Sequence, residues 1–391
     1  MSSALLDRAL AHLERLIAFD TTSRRSNLAL IAFLEEVLSG CGADLQRVEN
    51  ADGSKSNLMG CIGPPVDGGV VLSGHTDVVP VDGQAWTSDP WVLTKKGDGR
   101  LYGRGTADMK GFIALALAVA PELAGKRLSR PVHFAFSYDE EVGCLGAPSM
   151  IARLAAMSPR PALVVVGEPT GMELVCAHKS ITTFRTTVAG REAHSSQTHL
   201  GVSAILEAVP LMAELRALGE RLEREADPAS PFEPKGATLT IGLVEGGTAG
   251  NILARRCSFL ADLRAPPGGE ARRALDGYFA SVAALDARLK ARFPDQPGIG
   301  ATVEICSDTP ALAPEPDGAA AALIRRLTGD NSPGRVVAYG AEAGQFQQAG
   351  FSAAICGPGS IDQAHQADEW VELAQLERGA AFMQRLAEAL V

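Results

Sequence analysis

The segment AFSYDEEVGCLGA, residues 135–147, places three consecutive acids, Asp139, Glu140 and Glu141, directly after an apolar run from Val132 to Phe136 that reads as a buried strand. Carboxylates crowded at the lip of a sheet repel one another, so a compensating positive charge has to sit among them. Other chemically able residues occupy comparable places. His75 and Asp77 follow the apolar run in GGVVLSGHTDVV, Asp108 precedes the helical stretch MKGFIALALAVAPELAG, Glu168 follows PALVVV, and His365 lies in the loop after ICGPG. Two imidazoles, an aspartate and two glutamates offer the N and O donors that suit zinc, and they are enough for two divalent ions. An aspartate between two ions can bridge them, and ions roughly 3.5–4 Å apart are a recurrent hydrolytic device. Taken singly, each residue is equally a solvated turn residue, and Asp108 equally a helix N-cap. The set stands out because all its members fall at the carboxyl ends of predicted strands, where open parallel sheets place their ligands. His12, in an amphipathic helix, and His133, inside a strand, lack that setting and read as structural; His178 and His199 stay ambiguous.

The elements that must position these residues are legible in outline. Residues 3–19 and 26–39 carry apolar positions at helical spacing, as at Leu6, Leu10, Leu13, Leu16 and Ile17. The apolar runs in 68–79, 132–138 and 161–170, separated by the helical stretch 109–125, predict strands buried on both faces. That alternation gives an α/β fold with a largely parallel sheet covered by helices. From residue 181 the character changes: ITTFRTTV alternates as a strand with one wet face does. A helix near 201–222, strands at 237–247 and 257–265, a helix near 270–292 and a strand at 301–306 complete a β-α-β-β-α-β order, the split βαβ pattern of a small α+β domain. α/β character returns after a proline-rich crossover at 309–316. The expected organisation is a discontinuous larger domain, 1–180 with 309–391, carrying an inserted smaller one, 181–308.

Bulk properties fit this division. A chain of 391 residues exceeds what one hydrophobic core usually supports. A formal net charge of −10 argues against a nucleic-acid partner. No apolar run approaches the roughly 18 residues of a membrane span. The seven cysteines are scattered without a CxxC pair, and the first residues lack the basic start and apolar core of a signal peptide, so the expected setting is the cytoplasm.

Six motifs carry a family resemblance: SGHTDVVP (73–80), LYGRGTADMKG (101–111), DEEVGCLGA (139–147), GEPT (167–170), AHSS (193–196) and GPGSIDQAHQADEW (357–370). With them the chain resembles the di-zinc aminoacylase and carboxypeptidase metallohydrolases, which include the succinyl-diaminopimelate desuccinylases, and within them most closely the acetylornithine deacetylase branch. The resemblance implies a zinc-peptidase-like catalytic domain and an inserted ferredoxin-like domain serving as lid and dimer contact. By position it implies that His75 and Glu168 hold one ion, Glu141 and His365 the other, and Asp108 bridges both. Zinc is the expected metal, with cobalt as a substitute. Asp77 would accept the second N–H of His75, and Glu140 would act as general base on the attacking water and then protonate the leaving amine. His194 would reach the partner subunit's site to stabilise the oxyanion, Arg264 would clamp the substrate α-carboxylate, and Asn251 would touch the substrate. The implied reaction is hydrolysis of N2-acetyl-L-ornithine in arginine biosynthesis by a homodimer. The alternative is the same chemistry on another N-acyl-L-amino acid, N-succinyl-diaminopimelate or a dipeptide. A terminal ammonium needs a carboxylate partner, and Glu342, in the loop YGAEAGQF, is the candidate.

Overall fold

The structure, a computed structural model, describes residues 2–391, with side chains from residue 4 onward. The chain forms two compact units: one contains residues up to 177 with 312–336 and 341–391, the other residues 178–311 with 337–340.

In the first unit, helices α1 (Ser2–Ile17) and α2 (Leu28–Gly40) lead into a hairpin of β1 (Asp44–Glu49) and β2 (Ser56–Ile62). There follow β3 (Val70–His75), the short β4 (Thr94–Lys95) and β5 (Arg100–Tyr102), α3 (Lys110–Ala124), β6 (Val132–Ser137), α4 (Ala147–Ala155), β7 (Leu163–Val166) and β8 (Val175–His178). The smaller unit intervenes with β9 (Ser180–Ala189), α5 (Ala204–Arg224), β10 (Thr238–Gly246), β11 (Arg256–Ala265), α6 (Glu270–Arg273), α7 (Leu275–Arg292) and β12 (Gly300–Thr309). The chain ends with α8 (Ala319–Thr328), β13 (Arg335–Val337), α9 (Ala343–Gln348), β14 (Ser352–Ile355), β15 (Trp370–Glu372) and α10 (Leu373–Ala389).

The large sheet has the order β1-β2-β6-β3-β7-β14-β8-β13. Its centre is parallel, β3 pairing with β6 and β7 and β7 with β14, whereas β2 joins antiparallel to β6. Every residue of β3 and β6 is buried, as strands covered on both faces require. Helix α3 is buried from Lys110 to Ala120, an apolar cylinder packed between α1 and α10. The ammonium of Lys110 is accommodated there because it donates to the carbonyls of Leu16, at 3.1 Å, and Phe19, at 2.8 Å, at the end of α1.

Two glycines let α3 approach the strand ends. A β-carbon on Gly167 would lie 2.0 Å from Cγ of Phe112, and one on Gly74 2.9 Å from Cε of Met109. These glycines immediately precede Glu168 and His75, so helix packing and ligand placement share the same residues.

The smaller unit is one antiparallel sheet of order β10-β11-β9-β12 backed by α5 and α7. The element order is β-α-β-β-α-β, as the alternation predicts; the helix expected over 270–292 is divided at Ala274 into α6 and α7. Phe184, Phe259 and Tyr278 occupy its core, and the Tyr278 hydroxyl is satisfied by Thr186 at 2.6 Å. Ser203 caps α5 by accepting the N–H of Leu206.

Candidate metal centre

β3 ends on His75. Its Nδ1 lies 2.9 Å from the backbone oxygen of Asp77, which fixes that nitrogen as the donor and turns Nε2 toward Oδ1 of Asp108, also at 2.9 Å. The sequence leads one to expect the Asp77 carboxylate as this acceptor; the structure gives the place to the Asp77 carbonyl, with Oδ1 3.6 Å from Nδ1. The carboxylate works elsewhere. Oδ1 accepts the N–H of Glu140 at 3.1 Å, and Oδ2 accepts that of Glu141 at 3.2 Å and the Ser23 hydroxyl at 2.7 Å. Asp77 therefore holds the turn that presents both glutamates.

Asp108 is not a helix cap: the cap position of α3 falls to Met109, and the Asp108 oxygens face two histidines instead. Oδ2 lies 3.3 Å from Nε2 of His365, which is 3.0 Å from Oε2 of Glu141. On the other side Oε1 of Glu168 is 4.0 Å from Nε2 of His75. The result is two donor groups sharing one aspartate: His75, Asp108 and Glu168, and His365, Asp108 and Glu141. His365 itself adopts the left-handed backbone, φ 62°, a conformation that costs a non-glycine residue about 1 kcal/mol and is common where a side chain must be aimed.

The donor set fits divalent cations. Zinc–ligand bonds near 2.1 Å put tetrahedral donor atoms about 3.4 Å apart, close to the separations found here. Oε1 of Glu141 and Oε1 of Glu168 are buried and accept no hydrogen bond from the described residues, which leaves coordination as their outlet. Glu140 lies within the same reach of His75 and Glu168, so distance alone does not separate ligand from proton carrier. Glu141 likewise lies within reach of His75 and Asp108.

Burial, reinforced by Glu141, Asp108 and Glu342 against the pull of His75, pushes the Glu140 carboxyl up to about 8. Burial and Asp108 raise Glu141 to about 7, and the same two causes lift Glu168 well above the usual range. Hydrogen bonds to Asp108 and Glu141 raise His365 to about 10. Burial would raise Asp108 too, but its bonds to His365 and His75 prevail and hold it low. The histidine protons between these groups sit where a cation would replace them. Asp139, the first of the three acids, is compensated separately by Lys55 at 2.5 Å.

Glu342 has different partners from the terminal ammonium expected of it. It is 1% exposed, and its oxygens accept from the hydroxyls of Ser137, at the end of β6, and Ser73, on β3. Burial pushes its carboxyl up to about 7. The other three predicted residues belong to the smaller unit. His194 is exposed, with Nδ1 2.8 Å from the Ser196 hydroxyl, and it neighbours Asn251, whose carbonyl accepts the N–H of Ser195 at 2.9 Å. Arg264 lies at the opposite end of β11 and forks onto Asp262, with contacts of 2.7 and 3.0 Å.

Sequence reasoning passed over the supporting residues Ser23, Lys55, Gln84, Arg104 and Glu369. Arg104 and Glu369 lie inside two of the quoted motifs, and a charge amid glycines and apolar residues is the signal that marks them.

A family model described as Peptidase family M20/M25/M40 matches residues 71–389. The acetylornithine deacetylase of Proteus mirabilis is 34% identical over 374 residues, 95% of this chain and 92% of that protein. The acetylornithine deacetylase of Myxococcus xanthus is 34% identical over 380 residues, 96% of this chain and 95% of that protein. A solved tripeptidase from Staphylococcus aureus superposes with a TM-score of 0.71 over 98% of this chain and 99% of that one; at 19% identity the likeness concerns the fold.

Proposed function

The chain belongs to the M20/M25/M40 peptidase family of metal-dependent hydrolases, and on that footing we propose that it hydrolyses N2-acetyl-L-ornithine to L-ornithine and acetate in arginine biosynthesis. The observation that carries the chemistry is the pair of donor groups sharing Asp108 beside a raised glutamate. The similarity to acetylornithine deacetylases over nearly the whole chain supports the substrate.

Two zinc ions, held as the resemblance implies, would supply Lewis acidity, polarising the acyl carbonyl and acidifying water. Glu140, in its carboxylate form, receives the proton of the attacking water, holds it readily because burial raises its proton affinity, and returns it to the departing amine. Asp77 keeps Glu140 and Glu141 in register through their backbone N–H groups. Cys144 lies 3.3 Å from Oε1 of Glu140 and orients that carboxyl. In this reading Arg264 exchanges Asp262 for the substrate α-carboxylate, and Asn251 and His194 complete the site from the smaller unit. Glu342 meets the terminal ammonium only by turning from its serines, and an unchanged preference for acetylornithine over acetylmethionine in Glu342→Gln removes it from the pocket. The chain acts in the cytoplasm as a homodimer joined through the smaller unit, where the outer strand β10 leaves Leu243 and Val244 more than half exposed and Leu206 on α5 is 69% exposed.

The test is a deacylation assay on the zinc- or cobalt-loaded protein with N2-acetyl-L-ornithine, N-acetyl-L-methionine and N-succinyl-L,L-diaminopimelate, run beside Glu140→Ala. The expected result is a clear lead for acetylornithine, lost in the variant with metal retained. A lead for another substrate keeps the chemistry and overturns the substrate.

A further inference from the structure

Two fully buried charged residues take no part in the chemistry above. Arg104 is 0% exposed and Glu369 1%. They form an ion pair, Nη1 to Oε2, at 2.7 Å. Burying such a pair is costly unless its remaining bonding capacity is used; the Glu369 carboxylate directs its capacity to the loop that carries Asp108, while Nε of Arg104 bonds to no described residue. Oε2 of Glu369 also accepts the N–H of Gly105 at 2.9 Å, while Oε1 accepts those of Ala107 at 2.9 Å and Asp108 at 3.1 Å. One carboxylate thus gathers three N–H groups of the 105–108 loop and a guanidinium. Its own backbone oxygen accepts the N–H of Gly103 at 2.9 Å, so the loop is held from both sides.

The same residues reach the other half of the centre. Glu369 lies four positions after His365 on one short segment. Nη2 of Arg104 donates to Oε1 of Gln84 at 2.5 Å, and Nε2 of Gln84 donates to the backbone oxygen of His365 at 2.9 Å. The guanidinium lies 5.1 Å from the ring centre of Trp86, which covers this side. Asp108 and His365 come from segments far apart in the chain, and their separation of 3.3 Å is spanned by this single chain of contacts: Asp108 N–H, Glu369, Arg104, Gln84, His365 carbonyl.

We propose that the Arg104–Glu369 pair and Gln84 form a positioning unit that fixes the Asp108 loop against the His365 loop and so sets the affinity for the cation shared by Asp108, Glu141 and His365. The proposal rests on the two-ion reading of the centre. Partners behind metal ligands typically change metal affinity by about 10- to 100-fold when removed. Glu369→Gln puts an amide N–H against donors that now meet an oxygen, so it disturbs the loop at nearly constant volume. Gln84→Ala removes the link to His365 together with the acceptor that Oε1 offers to Arg104 and Trp86, from a half-buried position outside the core.

The experiment titrates the metal-free full-length chain with cobalt(II), following ligand-field absorbance in competition with a chelator, and records the thermal unfolding of the metal-free protein alongside. The wild type is expected to take up two ions. Gln84→Ala is expected to keep the affinity of one ion and lose about 10-fold or more at the other, with the unfolding of the metal-free protein unchanged. Glu369→Gln is expected to weaken the same ion further. If both variants bind two ions as the wild type does, or if both ions weaken together in step with lost stability, the positioning role is overturned. Should Glu369→Gln fail to fold, Gln84→Ala decides alone. A wild-type chain that takes up fewer than two ions overturns the two-ion reading, and this inference with it.

Discussion

At the scale of single residues, the candidates that the fold gathers around Asp108 were legible because polar residues at the ends of buried strands have few innocent explanations. What supports them was not. Asp77 is recognisable as a companion of His75, yet its carboxylate holds backbone N–H groups sixty-odd residues away, and only folding creates that contact. His133 shows the converse. Its place inside a strand marks it as structural, and it is 3% exposed with Nε2 bonded to no described residue. Burial lowers its pKa from 6.5 to about 4. The folded chain keeps the ring neutral while the unfolded chain takes up a proton below pH 6.5, so this group's contribution to stability falls as pH drops from 6.5 toward 4, by up to about 1.4 kcal/mol per pH unit. His133→Leu is therefore expected to flatten the acid side of the stability curve and to add about 1 kcal/mol at neutral pH by removing an unpaired buried nitrogen. Urea unfolding at pH 7 and pH 5 reads both effects; a variant with the wild-type pH slope would contradict the argument.

At the scale of elements, the central strands and the buried helix α3 follow from uninterrupted apolar runs, and the alternation of β9 separates the wet-faced sheet from the buried one. Strand β1 escaped because DLQRVE is largely exposed and polar at the sheet margin, where no apolar pattern is imposed. Helices α8 and α9 and the small sheet of β15, β5 and β4 escaped for a related reason: they are short, and their burial comes from neighbours distant in sequence. The fit of α3 against β3 and β7 is also invisible in one dimension, since a glycine before Glu168 reads only as a turn residue. Gly167→Ala would drive a methyl group into the Phe112 ring, and overpacking of this kind costs about 1–3 kcal/mol. The expected outcome is a lower melting temperature together with weaker metal binding, because the displaced segment carries Glu168. Wild-type metal affinity in this variant would show that the strand end can move without its ligand.

At the scale of the whole molecule, the interruption of one unit by another is readable from the switch between buried and alternating strands. The outer strand β10 exposes Leu243 and Val244, and the trans role proposed for His194 makes a sharp prediction. Mixing Glu140→Ala and His194→Ala chains under conditions that exchange subunits should restore activity: each mixed dimer then contains one site with an intact Glu140 and an intact His194 from the partner. Parent variants that are both inactive, with no recovery on mixing, would assign His194 to its own chain or to no site.

The proposed chemistry requires two cations flanking Asp108, so locating them is the most direct measurement. Crystals of the zinc-loaded protein, measured above and below the zinc absorption edge, are expected to show two anomalous peaks roughly 3.5–4 Å apart, one beside His75 and Glu168 and one beside Glu141 and His365. A single peak, or a second peak away from Asp108, would contradict the account.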